Sequence, residues 1–333
     1  MNQDKAVIVE VGPRDGLQNL STYIETTQKI SLIRMLAACG LREIQAGAFV
    51  SPRAIPQFKD MKTVAADIVT LPDVVFSVLV PNLQGARDAV ASGITKLIYF
   101  FSVSASHNIN NVRQTPEQSL QGLKLIQKEL TSDGLAECCV ALATVFGCPF
   151  EGFPTVDRIL HYIEKVVTLG IREITLCDTV GFGNPRQVEE IIHACQNNFP
   201  EVSFAVHFHN TRGLGMANAL RAYEVGIRRF DAALGGLGGC PFAPGASGNI
   251  ATEDIVFMFN SMGIQTGIIL EAILNVTRYL RELLPGMTLS SAVYQAGLPK
   301  TSPLGTNGID PGLNPPLPDT QLSFKTVTLP NGN

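Results

Sequence analysis

The chain has 333 residues, 45% hydrophobic and 16% charged, so it can bury a large core and has little disorder-prone sequence. A net charge of −4 without a basic run argues against nucleic acid as a partner, and no apolar stretch approaches a membrane span. The absence of a signal-peptide core and seven cysteines without paired spacing predict a reduced, cytoplasmic protein.

Predicted strands cover residues 7–11, 43–48, 74–80, 96–101, 138–144, 173–177, 203–208 and 229–234. The first ends in Gly12-Pro13-Arg14-Asp15-Gly16. A helix follows over 26–39, with Ile30, Ile33, Leu36 and Ala37 on one stripe. Further helices are predicted over 117–130, 155–169 and 185–198, each opened by a proline or a capping residue. Two more, over 251–263 and 268–284, follow the last strand.

The strand starts recur roughly every thirty residues, the length of one strand–loop–helix unit. Eight such units predict an α/β fold, a closed (β/α)8 barrel. An open doubly wound sheet would need a phosphate-binding glycine loop after the first strand, and Gly12–Gly16 does not match one. Residues 1–297 are read as one barrel domain with appended C-terminal helices. Residues 298–333 are read as a Pro/Gly-rich tail that cannot form a regular helix.

In a barrel, the strand C-termini carry the chemistry. His207-Phe208-His209 ends an apolar strand, and period-2 geometry projects both imidazoles to one side. With Asp15 they form a two-histidine, one-carboxylate set suited to a divalent ion. The alternative is a pair of hydrogen-bonded polar residues at a strand end. Arg14 either neutralises an enolate or carboxylate or makes a structural salt bridge. Asp178 is a partner to the site, a proton-transfer group or a helix cap. Asn249 either completes the metal shell or caps the next helix. His107 and Asn108 either bind a substrate carboxylate or close a turn. The glycine-rich segment 235–249 borders the mouth and carries Cys240, a candidate for proton transfer or a buried thiol.

Several of these segments resemble hydroxymethylglutaryl-CoA lyases. The resemblance rests on Val9-Glu10-Val11-Gly12-Pro13-Arg14-Asp15-Gly16-Leu17-Gln18-Asn19, Phe49-Val50-Ser51-Pro52 and Gly147-Cys148-Pro149-Phe150-Glu151-Gly152. It also rests on His207-Phe208-His209-Asn210-Thr211 and on the loop from Gly238 to Asp254. It spans roughly residues 5 to 285 and leaves the tail outside.

The resemblance implies a TIM barrel and a metal-dependent carbon–carbon lyase, with Mg²⁺ or Mn²⁺ as cofactor. It implies an acyl-CoA thioester as substrate and a homodimer. Asp15, His207 and His209 would be ligands, with Asn249 at or near the metal. Arg14 would stabilise the enolate of the departing acyl-CoA. His207 or Asp178 would serve as base, and Cys240 as the acid. The expected products are a keto compound and acetyl-CoA. Where the family places a glutamate at the end of the second strand this chain has Gln45, and Asn210 stands where many relatives have aspartate. Both changes remove negative charge, so Gln45 is expected to help select the substrate. Competing readings are an aldolase or Claisen-type synthase acting on a 2-oxo acid, and a catalytically reduced barrel with a binding role.

Overall fold

Eight parallel strands close on themselves in sequence order, with β1 paired to β8. The computed structural model describes residues 4–131, 134–238 and 248–299. The strands are β1 (Val7–Glu10), β2 (Glu43–Ala48), β3 (Val75–Val80), β4 (Lys96–Ser102), β5 (Glu137–Ala143), β6 (Glu173–Asp178), β7 (Ser203–Phe208) and β8 (Arg229–Ala232). The helices, in order, are α1 (Thr26–Ala38), α2 (Met61–Ile68), α3 (Leu83–Ala91), α4 (Ala105–Val112), α5 (Pro116–Ile126) and α6 (Val156–Thr168). They continue with α7 (Pro185–Asn198), α8 (Gly215–Glu224), α9 (Thr252–Ser261), α10 (Leu270–Leu283) and α11 (Ala292–Ala296). This is the (β/α)8 TIM barrel expected from the eight alternations. The compact unit runs to Leu298. No helix of the described residues is long and apolar enough to cross a membrane.

The strands are apolar along most of their length because a parallel sheet is covered on both faces. Helix starts follow local chemistry. Thr115, Thr155 and Asn184 each accept a backbone N–H from the first turn, and Pro116 and Pro185 open their helices where no donor is needed. In α1 the buried stripe is Lys29, Leu32, Ile33 and Leu36, one step round from the predicted one; Ile30 and Ala37 are only partly covered. Lys29 is drawn in because its ammonium meets Asp60 at 2.9 Å and the Gln57 carbonyl. The helix predicted over 117–130 ends at Ile126 and passes into a π turn over Gln127–Thr131.

The barrel interior is layered. Glu43, Lys96, Glu173 and Arg229 are the first residues of β2, β4, β6 and β8. Arg229 binds Glu43 at 2.5 and 2.6 Å and Glu173 at 3.1 Å; Lys96 binds Glu173 at 2.9 Å. Alternate strands thus supply one charged layer that closes the N-terminal end. Above it lies a small apolar cluster of Ile98, Cys139, Ala141 and Cys177. Two residues beyond the charged layer, the same parity places Gln45 and Asp231 on the interior side.

Candidate active site

Beyond β1, the backbone makes a single π turn over Gly12–Gly16, in which Asp15 and Gly16 donate to the Val11 carbonyl at 2.7 and 3.3 Å. π turns of this kind concentrate at functional sites. Gly12 leaves room for the buried Glu10 carboxylate: a Cβ there would lie 2.5 Å from Glu10 Oε1. The turn presents Arg14 and Asp15 together, with Arg14 Nη1 2.5 Å from Asp15 Oδ1. Arg14 Nε donates to Gln45 Oε1 at 3.0 Å. The β2 register shifts between Gln45 and Gly47, a bulge beside the site.

At the end of β7, the two histidine rings face each other with Nε2 atoms 3.1 Å apart. Asp15 Oδ2 lies 3.8 Å from His207 Nε2 and 3.7 Å from His209 Nε2. One ligand atom from each of the three residues falls within a sphere of mutual distances under 4.8 Å. Burial pushes the Asp15 carboxyl up. The Arg14 charge, a His209 hydrogen bond and the two imidazoles outweigh it and hold the group well below the usual carboxylate range.

Asn249 does not cap a helix: α9 begins at Thr252 after Ala251. Its Nδ2 donates to Asp15 Oδ2 at 2.8 Å and to the Leu237 carbonyl at 2.9 Å. Its Oδ1 is buried and has no hydrogen-bond partner among the described residues. Gly238, at φ 110°, makes this approach feasible, since a Cβ there would sit 2.5 Å from Asn249 Nδ2. Two imidazole nitrogens, an ionised carboxylate and an unsatisfied amide oxygen form a donor set that fits a hard or borderline divalent cation.

The other predicted residues divide. Asp178 is fully buried and accepts from Phe182 N at 2.9 Å and Gly183 N at 3.0 Å, closing the β6–α7 loop; Asn184 is the helix cap. Burial raises its carboxyl above the ordinary value against these hydrogen bonds. Asn108 is fully buried on α4, with its amide committed to Ser102 N, the Gln114 carbonyl and Ser119 Oγ. Of the two readings held for Asn108, these bonds are those of the second, closure of the β4–α4–α5 turn. His107 is buried with Nδ1 2.5 Å from Ser102 Oγ, and burial lowers its pKa to about 4. It is therefore an uncharged ring packed beneath the mouth. Asn210 Oδ1 accepts from Gly215 N at 3.0 Å, at the start of α8. Cys240 lies outside the described residues. The remaining six cysteines are buried thiols; Cys148 sits in the β5–α6 loop and not on a regular element.

Sequence reasoning missed Asp231. It sits inside β8, paired in register with His207, and accepts from His207 Nδ1 at 3.1 Å and Gln45 Nε2 at 3.5 Å. A carboxylate within a strand otherwise read as apolar was the available signal. Glu10 and Glu253 were also overlooked. Glu10 accepts from Gly12 N at 2.7 Å and Leu234 N at 2.9 Å and so ties the β1 exit to the β8 exit, whereas Glu253 accepts from Gly235 N and Thr277 Oγ1 and ties the β8 exit to α9 and α10.

Residues 5–280 match the model of the HMGL-like family. The hydroxymethylglutaryl-CoA lyase of Bacillus subtilis is 41% identical over 84% of this chain and 93% of its own length. An (R)-citramalyl-CoA lyase of Chloroflexus aurantiacus is 39% identical over 88% of this chain and 95% of its own. Among solved structures, an HMG-CoA lyase from Acinetobacter baumannii in complex with coenzyme A and 3-methylmalate has a TM-score of 0.84. It is 44% identical and covers 93% of this chain and 99% of that one.

Proposed function

Because the chain belongs to the HMGL-like family, we propose that it is a carbon–carbon lyase that cleaves hydroxymethylglutaryl-CoA or a related branched 3-hydroxyacyl-CoA to a keto product and acetyl-CoA. The observation that carries this reading is the convergence of Asp15, His207 and His209 with the Arg14 guanidinium at their side.

A divalent ion, Mg²⁺ or Mn²⁺, held by Asp15, His207 and His209 with Asn249 alongside, would supply Lewis acidity that lowers the pKa of the substrate's tertiary hydroxyl. His207 Nδ1 is engaged by Asp231 and its Nε2 faces the ligand cluster, so its role is to hold and orient. Asp178, whose raised pKa favours taking up a proton, is assigned the hydroxyl proton. Arg14 offsets the charge of the thioester enolate as the carbon–carbon bond breaks. Cys240 is assigned protonation of the enolate carbon on family resemblance alone, as is the homodimer.

A second substrate is favoured by one observation. Gln45 binds Arg14 through a neutral amide, where the family resemblance implies a glutamate, which leaves the guanidinium less neutralised and suited to a carboxylate closer to the cleaved bond. Citramalyl-CoA has one methylene fewer between its carboxylate and the carbinol carbon than hydroxymethylglutaryl-CoA. A side-by-side assay of the Mg²⁺- or Mn²⁺-loaded protein decides: acetoacetate release marks one substrate, pyruvate release the other. EDTA should abolish either. Release of neither, with condensation of acetyl-CoA and a 2-oxo acid observed instead, would replace the lyase with a synthase.

A further inference from the structure

We propose that Asp231 is a positioning residue that fixes the His207 tautomer and, through Gln45, sets the Arg14 guanidinium in register with the metal-ligand cluster. The inference rests on the reading of Asp15, His207 and His209 as ligands.

One carboxylate oxygen does the joining. Asp231 Oδ2 accepts from His207 Nδ1 at 3.1 Å and from Gln45 Nε2 at 3.5 Å, and Gln45 Oε1 in turn accepts from Arg14 Nε at 3.0 Å. The line Arg14–Gln45–Asp231–His207 therefore runs from the anion-stabilising group to the imidazole. A proton on His207 Nδ1, held by Asp231, leaves Nε2 as the acceptor nitrogen, 3.1 Å from His209 Nε2 and 3.8 Å from Asp15 Oδ2. A carboxylate behind a ligating imidazole fixes ring orientation and raises its basicity.

The setting argues that this carboxylate is more than packing. Asp231 is 4% exposed, within a strand whose neighbours Phe230 and Ala232 are wholly buried. A buried carboxylate without a close cation is costly. Arg229, two residues earlier, gives its hydrogen bonds to Glu43 and Glu173 in the charged layer below and acts on Asp231 through charge alone. The hydrogen bonds that Asp231 accepts come from the other side, from the His207 imidazole and the Gln45 amide, with Arg14 beyond that amide. The amide at position 45 suits this place because it accepts from Arg14 while donating to Asp231, and a carboxylate cannot do both.

The test uses Mn²⁺ as probe with the full-length protein. Asp231→Asn keeps shape and removes the charge. It is expected to weaken Mn²⁺ binding by about tenfold or more, measured by calorimetry. Histidine side-chain ¹⁵N spectra of the metal-free protein should show His207 as the Nδ1–H tautomer in the wild type and a mixture in the variant. The wild-type spectrum needs no variant to fold; an Nε2–H tautomer there overturns the proposal. Equal Mn²⁺ affinity within twofold in wild type and Asp231→Asn also overturns it while leaving the ligand reading intact. A wild-type protein that binds no Mn²⁺ overturns both.

Discussion

Asn249 Nδ2 donates to Asp15 Oδ2 across 2.8 Å, although 234 positions separate the two residues in the chain. The contact fixes the carboxylate that faces both histidines. It also ties the exit of β8 to the exit of β1. Asn249→Ala removes the donor and strips the Leu237 carbonyl of the same partner. Loss of this hydrogen bond to a charged group should destabilise the protein by about 1.5–3 kcal/mol. Mn²⁺ affinity should fall with it. A calorimetric titration of the variant showing unchanged affinity would remove Asn249 from the cluster.

Gln45→Glu keeps the acceptor for Arg14 but sets a second carboxylate 3.5 Å from Asp231. Arg14 is then neutralised by its own partner and less able to offset an enolate. We expect kcat/KM to fall at least about tenfold, about 1.4 kcal/mol of transition-state stabilisation, on every thioester tested. Metal content, read by elemental analysis, should not change. A sharp rise in turnover of hydroxymethylglutaryl-CoA would contradict this account.

Two buried carboxylates make the stability depend on pH. Burial is the leading influence on both, raising Glu10 from 4.5 to about 7 and Glu253 from 4.5 to about 8 against the pull of their hydrogen bonds. A folded pKa above the unfolded one means that the folded state binds the proton more tightly. The associated stability is complete below the unfolded value and is lost as pH rises through about 7 and 8. The slope reaches up to about 1.4 kcal/mol per pH unit for each group. Asp15, with a lowered pKa, acts only in the acid range below this window. Melting temperatures should therefore decline from pH 5 to pH 8, less steeply below 6.5, where His107, lowered to about 4, acts in the opposite sense. Glu10→Gln, which keeps an acceptor for Gly12 and Leu234, should flatten the curve. An unchanged slope in that variant would rule Glu10 out as the source.

Arg229→Met should destabilise without touching the chemistry. It leaves Glu43 and Glu173 facing each other in the partly buried layer at the foot of the barrel, with Lys96 as their remaining partner. Removing one member of such a network costs about 3 kcal/mol or more. Denaturant unfolding should show the loss, while Mn²⁺ affinity at low temperature stays at the wild-type value.

Much of the architecture was legible because parallel barrel strands are short apolar runs with polar residues at their exits. Residues 43–48, 203–208 and 185–198 form their elements with the predicted bounds. Arg14, Asp15, His207 and His209 stood out because charge and imidazole at a strand end break an apolar pattern. Asp231 did not, since one acid inside a strand acquires meaning only from its cross-strand neighbour His207. Lys29 was hidden for a similar reason. A lysine on an apolar helix face reads as exposed until Asp60, far along the chain, supplies the charge that draws it in. Asn108 was ambiguous because an amide at a loop end serves a ligand and a turn equally well, and only its three committed partners separate the two.

Barrel closure has a consequence for how the protein is made. β1 meets β8 along Val7↔Arg229 to Glu10↔Ala232, so the first strand waits for the last. A ribosome delivers Asp15 early, the two histidines late, and Asn249 only after the eighth strand has emerged. A polypeptide interrupted before residue 207 holds a single carboxylate of the cluster. The group of Asp15, His207 and His209 is thus complete only in a chain synthesised past its seventh strand, and its Asn249 neighbour arrives only after the eighth.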